Sequence, residues 1–268
     1  SDRAIAVDFR PGPPRPPRQR LTQLRRVDVS IQIVPQCAKQ AVLVDQRIAP
    51  HGFRRIKQFE IDAHTLCDRD AVMRSVHIAL IRQQPHAARA VMVIDRIVRV
   101  VGQLFVQPDG TYEHYDKRHL FTFAKEQNHY RAGDKRLISK YMGQSINPMI
   151  CYDLRFPVFS RNLAEAPFNL QIYVANWPQA RVAAWDALLK ARAIENQCYV
   201  VGVNRVGKDA NDIHYNGHSA VIDPYGSYLV EPIENKECTA LANLDFEELD
   251  RFRAKFPVLH DADAFKLL

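Results

Sequence analysis

Between residues 146 and 204 the sequence passes through three nearly uninterrupted apolar stretches, 146–152, 170–175 and 197–204. Apolar and β-branched runs of this length read as strands buried by the layers around them. Ahead of the third lies 181–196, where Val182, Trp185, Leu188, Leu189, Ala193 and Ile194 fall on one side of a helix. Further on, residues 219–223 and 227–230 flank Pro224-Tyr225-Gly226 as a hairpin. Asp245, followed three residues later by Glu248, resembles a capping box with Asp in place of Ser or Thr, and the helix it opens stops before Pro257. Upstream, 102–106 and 111–115 frame the turn signal Pro108-Asp109-Gly110 as a second hairpin. Strand, helix, strand, hairpin, strand and helix in this order predict an α/β fold.

A chain of 268 residues with 47% hydrophobic and 25% charged residues can bury a substantial core. No run of 18 apolar residues offers a membrane-spanning helix. Residues 1–20 are rich in Arg and Pro and lack the apolar stretch of a signal peptide. The five cysteines, Cys37, Cys67, Cys151, Cys198 and Cys238, are odd in number and widely scattered, which suggests neither a disulfide framework nor a zinc spacing. A reducing cytoplasm is therefore the expected location, and no metal or cofactor is expected.

The formal charge of +7 is unevenly distributed. Residues 1–100 hold 18 Lys and Arg, 16 of them Arg, against 9 Asp and Glu; the remaining 168 hold 19 against 21. The first hundred residues contain no Asn, Tyr or Trp and one Glu, whereas the rest contain 11 Asn, 10 Tyr, 2 Trp and 9 Glu. Within the first hundred, 28–34, 41–44 and 90–101 have strand-like composition and Pro11 to Pro17 excludes regular structure, but turns and helix starts with clear chemistry are missing. Abundant Arg, Pro, Ala and Val with loss of Asn, Tyr, Trp and Glu is what a wrong-frame or wrong-strand reading of a G/C-rich gene yields. Residues 1–103 are thus expected to be an atypical segment, and 104–268 the folded domain.

Chemistry concentrates around Cys151, which follows Pro148-Met149-Ile150 and so stands at the C-terminal end of a buried strand, where α/β proteins place reactive groups. A lone cysteine is by default a small buried hydrophobe. Lys117, in Tyr115-Asp116-Lys117-Arg118-His119, and Glu126, a short way downstream of it, give it a different context. A carboxylate beside a lysine accepts the thiol proton and returns it to a leaving amine, while the ammonium stabilises an oxyanion and favours the thiolate.

Tyr115-Asp116-Lys117-Arg118-His119-Leu120-Phe121, Met149-Ile150-Cys151-Tyr152-Asp153-Leu154-Arg155-Phe156-Pro157, Ala175-Asn176-Trp177-Pro178, Ala191-Arg192-Ala193-Ile194-Glu195-Asn196-Gln197 and Asn204-Arg205-Val206-Gly207 together resemble the nitrilase superfamily of carbon-nitrogen hydrolases. Within it they are most similar to bacterial omega-amidases, which hydrolyse the distal amide of 2-oxoglutaramate and 2-oxosuccinamate. The resemblance covers about residues 104–268 and implies an α-β-β-α sandwich, a homodimer and a Glu-Lys-Cys triad. By the same resemblance Cys151 is the nucleophile and Lys117 the oxyanion-stabilising lysine, and the separation of the two along the chain matches the family's spacing. The Tyr152 N–H is then the second oxyanion donor, Glu126 a further glutamate that positions lysine and substrate, and Trp177 a wall of the substrate pocket. Arg155 and Glu195 are expected in buried structural ion pairs, Asp153 as a brace for the loop after Cys151, Trp185 and Leu188 in the core or an interface, and Cys198 as inert. Tyr199, Tyr215 and His218 receive no role.

The resemblance also implies a general-base glutamate in a Leu-Pro-Glu motif far upstream of the lysine, at a place that falls near His51-Gly52-Phe53 in this chain. No Glu stands there, and Glu60, the single Glu of the first hundred residues, lacks the preceding proline. Without such a base, a loss of about 100- to 10,000-fold is expected. The family's sandwich draws strands and helices from this N-terminal region, so exposed sheet and poor solubility are expected unless the first hundred residues replace them. Two further readings remain: a related nitrilase or N-carbamoyl amidohydrolase, and a non-catalytic protein whose basic first hundred residues bind nucleic acid, against which stands their lack of stacking aromatics beyond phenylalanine.

Overall fold

A computed structural model describes residues 7–8, 26–32, 78–83, 86–95, 100–107, 109 and 111–263. The early strands are β1 (Val7–Asp8), β2 (Arg26–Gln32), β3 (Ile78–Gln83) and β4 (His86–Asp95), followed by β5 (Val100–Val106) and β6 (Tyr112–Asp116). The later ones are β7 (Ser139–Tyr141), β8 (Gln144–Ile150), β9 (Leu170–Ala175), β10 (Tyr199–Asn204), β11 (Val206–Lys208), β12 (His214–Ile222), β13 (Tyr228–Glu234) and β14 (Thr239–Asp245). Among the described residues three α-helices interleave: α1 (Pro157–Ser160), α2 (Val182–Asn196) and α3 (Phe246–Lys255).

The strands form two seven-stranded sheets. One runs β14-β2-β3-β4-β5-β6 with β1 beside β3, antiparallel except for the β1–β3 pair. The other runs β11-β12-β10-β9-β8-β7 with β13 beside β12, and its centre, β8-β9-β10, is parallel. The sheets face each other where β5 meets β8. Phe105, Ile146, Met149, Ile172, Val174, Val201 and Val203 are buried in the shared core. Helix α2 packs on β10 and β12. Its approach depends on Gly202, where a Cβ would run into Leu189 and come within 2.8 Å of the Trp185 ring. The α/β expectation holds.

Several boundaries differ from expectation for local reasons. The run 146–152 stops being strand at Ile150, because Cys151 adopts φ +45° and opens a single 3-10 turn, Cys151–Arg155. The run 197–204 becomes strand only at Tyr199, since Gln197, at φ +43°, caps α2. Residues 90–101 divide between β4 and β5, and 28–34 overlaps β2; 41–44 and 11–17 lie outside the described residues. Asp245 caps α3 through the N–H groups of Glu247 and Glu248, both 3.0 Å away. The reciprocal half of the capping box is absent: Glu248 accepts from Arg251, and the Asp245 N–H donates to the Tyr199 hydroxyl. Strands from the first hundred residues do fill the first sheet between β14 and β5.

Candidate active site

Parallel strands β8, β9 and β10 end at one edge of their sheet, and Cys151, Asn176-Trp177 and Asn204 stand at those three ends. Edges of this kind are where α/β sheets gather their chemistry. Cys151 is half-buried, and its thiol lies 3.8 Å from the Asn176 carbonyl oxygen. Its left-handed backbone is costly for a side-chain-bearing residue and persists only where the surroundings fix it.

Lys117 follows β6 and is anchored on both sides, its N–H donating to the Val101 carbonyl at 2.8 Å and its own carbonyl accepting from Gly133 at 2.9 Å. Its ammonium, 2% exposed, donates to both carboxylate oxygens of Glu126, at 2.7 and 2.9 Å. Glu126, itself buried, also accepts from the Phe121 N–H at 2.7 Å. Burial pushes the Cys151 thiol above its usual range; the Lys117 ammonium opposes this shift and the Glu126 carboxylate adds to it. Sequence positions 117, 126 and 151 are thus brought into one electrostatic neighbourhood.

Asp153 joins the two sheets at this point. Fully buried, it accepts from the Ile150 N–H at 3.1 Å, the Tyr115 hydroxyl at 2.7 Å, the His119 N–H at 3.0 Å and the His119 ring at 2.8 Å. The expected brace is present, and it also fixes the segment that carries Lys117. Burial, reinforced by the Asp153 charge, holds the Tyr115 phenol well above its ordinary range, so it stays a donor. The turn that opens at Cys151 leaves its first N–H groups, that of Tyr152 among them, without partners inside the turn. The Tyr152 ring rests between Phe121 and Phe156, 4.9 and 5.0 Å away between centroids.

Trp177 is buried and held at three points: its N–H donates to Asn204 Oδ1 at 2.7 Å, its carbonyl accepts from Asn204 Nδ2 at 2.9 Å, and its indole N–H donates to the Arg181 carbonyl at 2.7 Å. Its ring lies against that of Trp185, 5.5 Å away. Arg155 is not in the expected buried ion pair. Its guanidinium lies 4.8 Å from the Trp177 ring centroid, and it makes no ion pair among the described residues. Glu195 does form an ion pair with a neighbour, the buried Arg192 one turn earlier on α2, while itself half-buried. Arg181 stands over Phe121 and Phe123, 5.6 and 5.8 Å from their centroids. Asn204, a motif residue without an assigned role in the sequence, proves to hold the Trp177 backbone. A polar side chain ending an apolar strand was its only signal. Trp185 is core, and Cys198 is buried with its thiol pushed up to about 12. Among the described residues no group of three His, Cys, Asp or Glu is arranged to hold a metal ion, and no helix is long and apolar enough to cross a membrane. Glu60 lies outside the described residues.

The carbon-nitrogen hydrolase family model matches residues 57–254, a span that contains Lys117, Glu126 and Cys151. The chain belongs to this family. Among curated relatives, the carbon-nitrogen hydrolase described here is 51% identical to the omega-amidase YafV of Escherichia coli K12 over 164 residues, 61% of this chain and 63% of that one. It is 37% identical to the 2-oxoglutaramate amidase of Bacillus subtilis over 147 residues, 55% of this chain and 56% of that one. The chain thus spans less than two thirds of the length of these relatives. Among solved structures it is similar to XC1258 of Xanthomonas campestris, a CN-hydrolase superfamily protein with an arsenic adduct in its active site, with a TM-score of 0.63 and 47% identity over 67% of this chain and 69% of that one.

Proposed function

We propose that this carbon-nitrogen hydrolase is an amidase that releases ammonia from the distal amide of a small 2-oxo acid amide, 2-oxoglutaramate or 2-oxosuccinamate, with Cys151 as the nucleophile. The buried Lys117–Glu126 pair beside that thiol is the observation that carries it. In the first step the thiol proton passes to a carboxylate, sulfur bonds to the amide carbon, and the carbonyl electron pair moves to oxygen. The Lys117 ammonium and the Tyr152 N–H receive that oxyanion. Collapse breaks the carbon–nitrogen bond, the proton goes to nitrogen, and ammonia leaves a thioester. Water then attacks the thioester, gives up a proton to the carboxylate, and the carbon–sulfur bond breaks to free the dicarboxylate and the thiol.

Glu126 is the carboxylate that the described residues place on Lys117. In the resemblance it works beside a separate base that 51–53 do not supply, so turnover about 100- to 10,000-fold below that of a site with both groups is expected. At its far end such a substrate carries a carboxylate, which calls for a cation with donors to spare. Arg155 and Arg181, each over a site aromatic and in no ion pair among the described residues, supply them beside Trp177. The proposal includes a homodimer, a cytoplasmic location, and residues 1–103 standing in place of the family's own N-terminal part. The break in composition near residue 100 supports the last, and a family match that begins at residue 57 stands against its covering all of 1–103. One clean reading frame with uniform codon usage across residues 100–105 would exclude it.

Ammonia release decides the activity. The full chain is expected to liberate ammonia from 2-oxoglutaramate and not from a simple nitrile, and Cys151→Ala to abolish release. Equal release by the Cys151→Ala variant, or turnover of the nitrile alone, rejects the proposal.

A further inference from the structure

Strand β12 carries an irregularity beside the site. Gly217 pairs with Glu234 and Ser219 with Ile233, so His218 is an extra residue between two consecutive partners, a bulge with φ +59°. Bulges of this kind redirect a side chain, and a left-handed histidine persists only where its surroundings determine it.

Here they do. The His218 ring lies between two carboxylates, with Nδ1 2.9 Å from Asp186 Oδ2 on α2 and Nε2 2.8 Å from Glu234 Oε1 on β13. Lys190, one turn after Asp186, closes the same face with its ammonium 3.9 Å from the Tyr228 ring centroid. The main chain of the bulge points the other way, into the site. The His218 carbonyl accepts from the indole N–H of Trp185 at 2.8 Å. The Gly217 carbonyl accepts from Asn204 Nδ2 at 2.8 Å, and the Ser219 hydroxyl accepts from the Asn204 N–H at 2.9 Å. Three consecutive residues therefore hold both tryptophans, Trp185 directly and Trp177 through Asn204. One residue of the bulge has its side chain clamped from outside.

We propose that His218, clamped between Asp186 and Glu234, is a positioning residue that sets the Trp185–Trp177 pair and through it the wall of the amide pocket. With the clamp released, the bulge loses what determines its left-handed backbone, and the Trp185 contact loosens first because it is made by the bulged residue's own carbonyl. Its consequence for ligand affinity rests on the acid-amide assignment above.

The chain has only two tryptophans, and both belong to this pair, so tryptophan emission, excited where the ten tyrosines do not absorb, reports on it alone. The full chain, His218→Gln and Glu234→Gln are compared by tryptophan emission, melting temperature and binding of 2-oxoglutarate, a dicarboxylate of the proposed product class. His218→Gln is expected to move the emission maximum and weaken 2-oxoglutarate binding about tenfold, the scale of a sub-ångström displacement in a fitted site. Glu234→Gln is expected to act in the same direction and more weakly. Unchanged emission in a folded His218→Gln variant overturns the clamp, whatever happens to the melting temperature. Should His218→Gln not fold, Glu234→Gln decides by the same emission criterion, since Glu234 is on the surface. If emission responds while the unaltered chain fails to bind 2-oxoglutarate, the clamp stands and the acid-amide assignment falls.

Discussion

Cys151 combines a left-handed backbone with a thiol raised by burial, and the sign of its neighbours' effects can be tested. Glu126 raises the thiol and Lys117 lowers it, so Glu126→Gln is expected to shift iodoacetamide modification of Cys151 to lower pH, read as rate against pH. The same change removes the carboxylate on Lys117 and is expected to lower turnover by about 10²–10⁴-fold. An unchanged profile would mean that the Glu126 charge does not act on the thiol. At this scale chemistry and motif together picked out Lys117, Glu126 and Cys151, which the fold brings into one neighbourhood. The sequence misled at Arg155, because a guanidinium's partner can be a ring as well as a carboxylate, and a ring from a different strand end, that of Trp177, leaves no charge pattern to read. His218 was silent for a similar reason: its carboxylates come from α2 and β13, brought together only by the packing.

Elements were legible in proportion to their burial. Strand β9 and helix α2 fall within one residue of expectation, because an all-apolar run and a clear helical stripe each admit one solution. Ends set by a single left-handed residue, Cys151 or Gln197, were not, since side-chain pattern says little about φ outside glycine. Contact between α2 and β10 makes a further prediction. Gly202→Ala is expected to destabilise the fold by about 1–3 kcal/mol through overpacking against Leu189 and Trp185, measured by denaturant unfolding. On β5, Gln103→Leu replaces two buried polar atoms that have no partner among the described residues with a packed side chain and is expected to stabilise by about 1–3 kcal/mol. A loss of stability on that change would show that Gln103 has a partner after all.

For the whole molecule, the uneven charge and composition divide the chain more visibly than any motif does, while the carbon-nitrogen hydrolase match already begins at residue 57. The second sheet and its helices come from residues of ordinary composition, while β2, β3 and β4 in the middle of the first sheet come from the Arg-rich part. We expect the expressed chain to aggregate or to melt without a single sharp transition, as seen by size-exclusion chromatography and calorimetry. A monodisperse sample with one cooperative melt would argue that those strands are native. Asp153 adds a consequence of its own. It receives hydrogen bonds from β6, from the segment after it and from the end of β8 at once, so neither sheet alone can complete the site. A chain emerging from the ribosome, or one half unfolded by heat, carries Cys151 as an ordinary open thiol, and the docked molecule alone holds it in check. Thiol-labelling reagents applied to such a mixture would count assembly rather than catalysis.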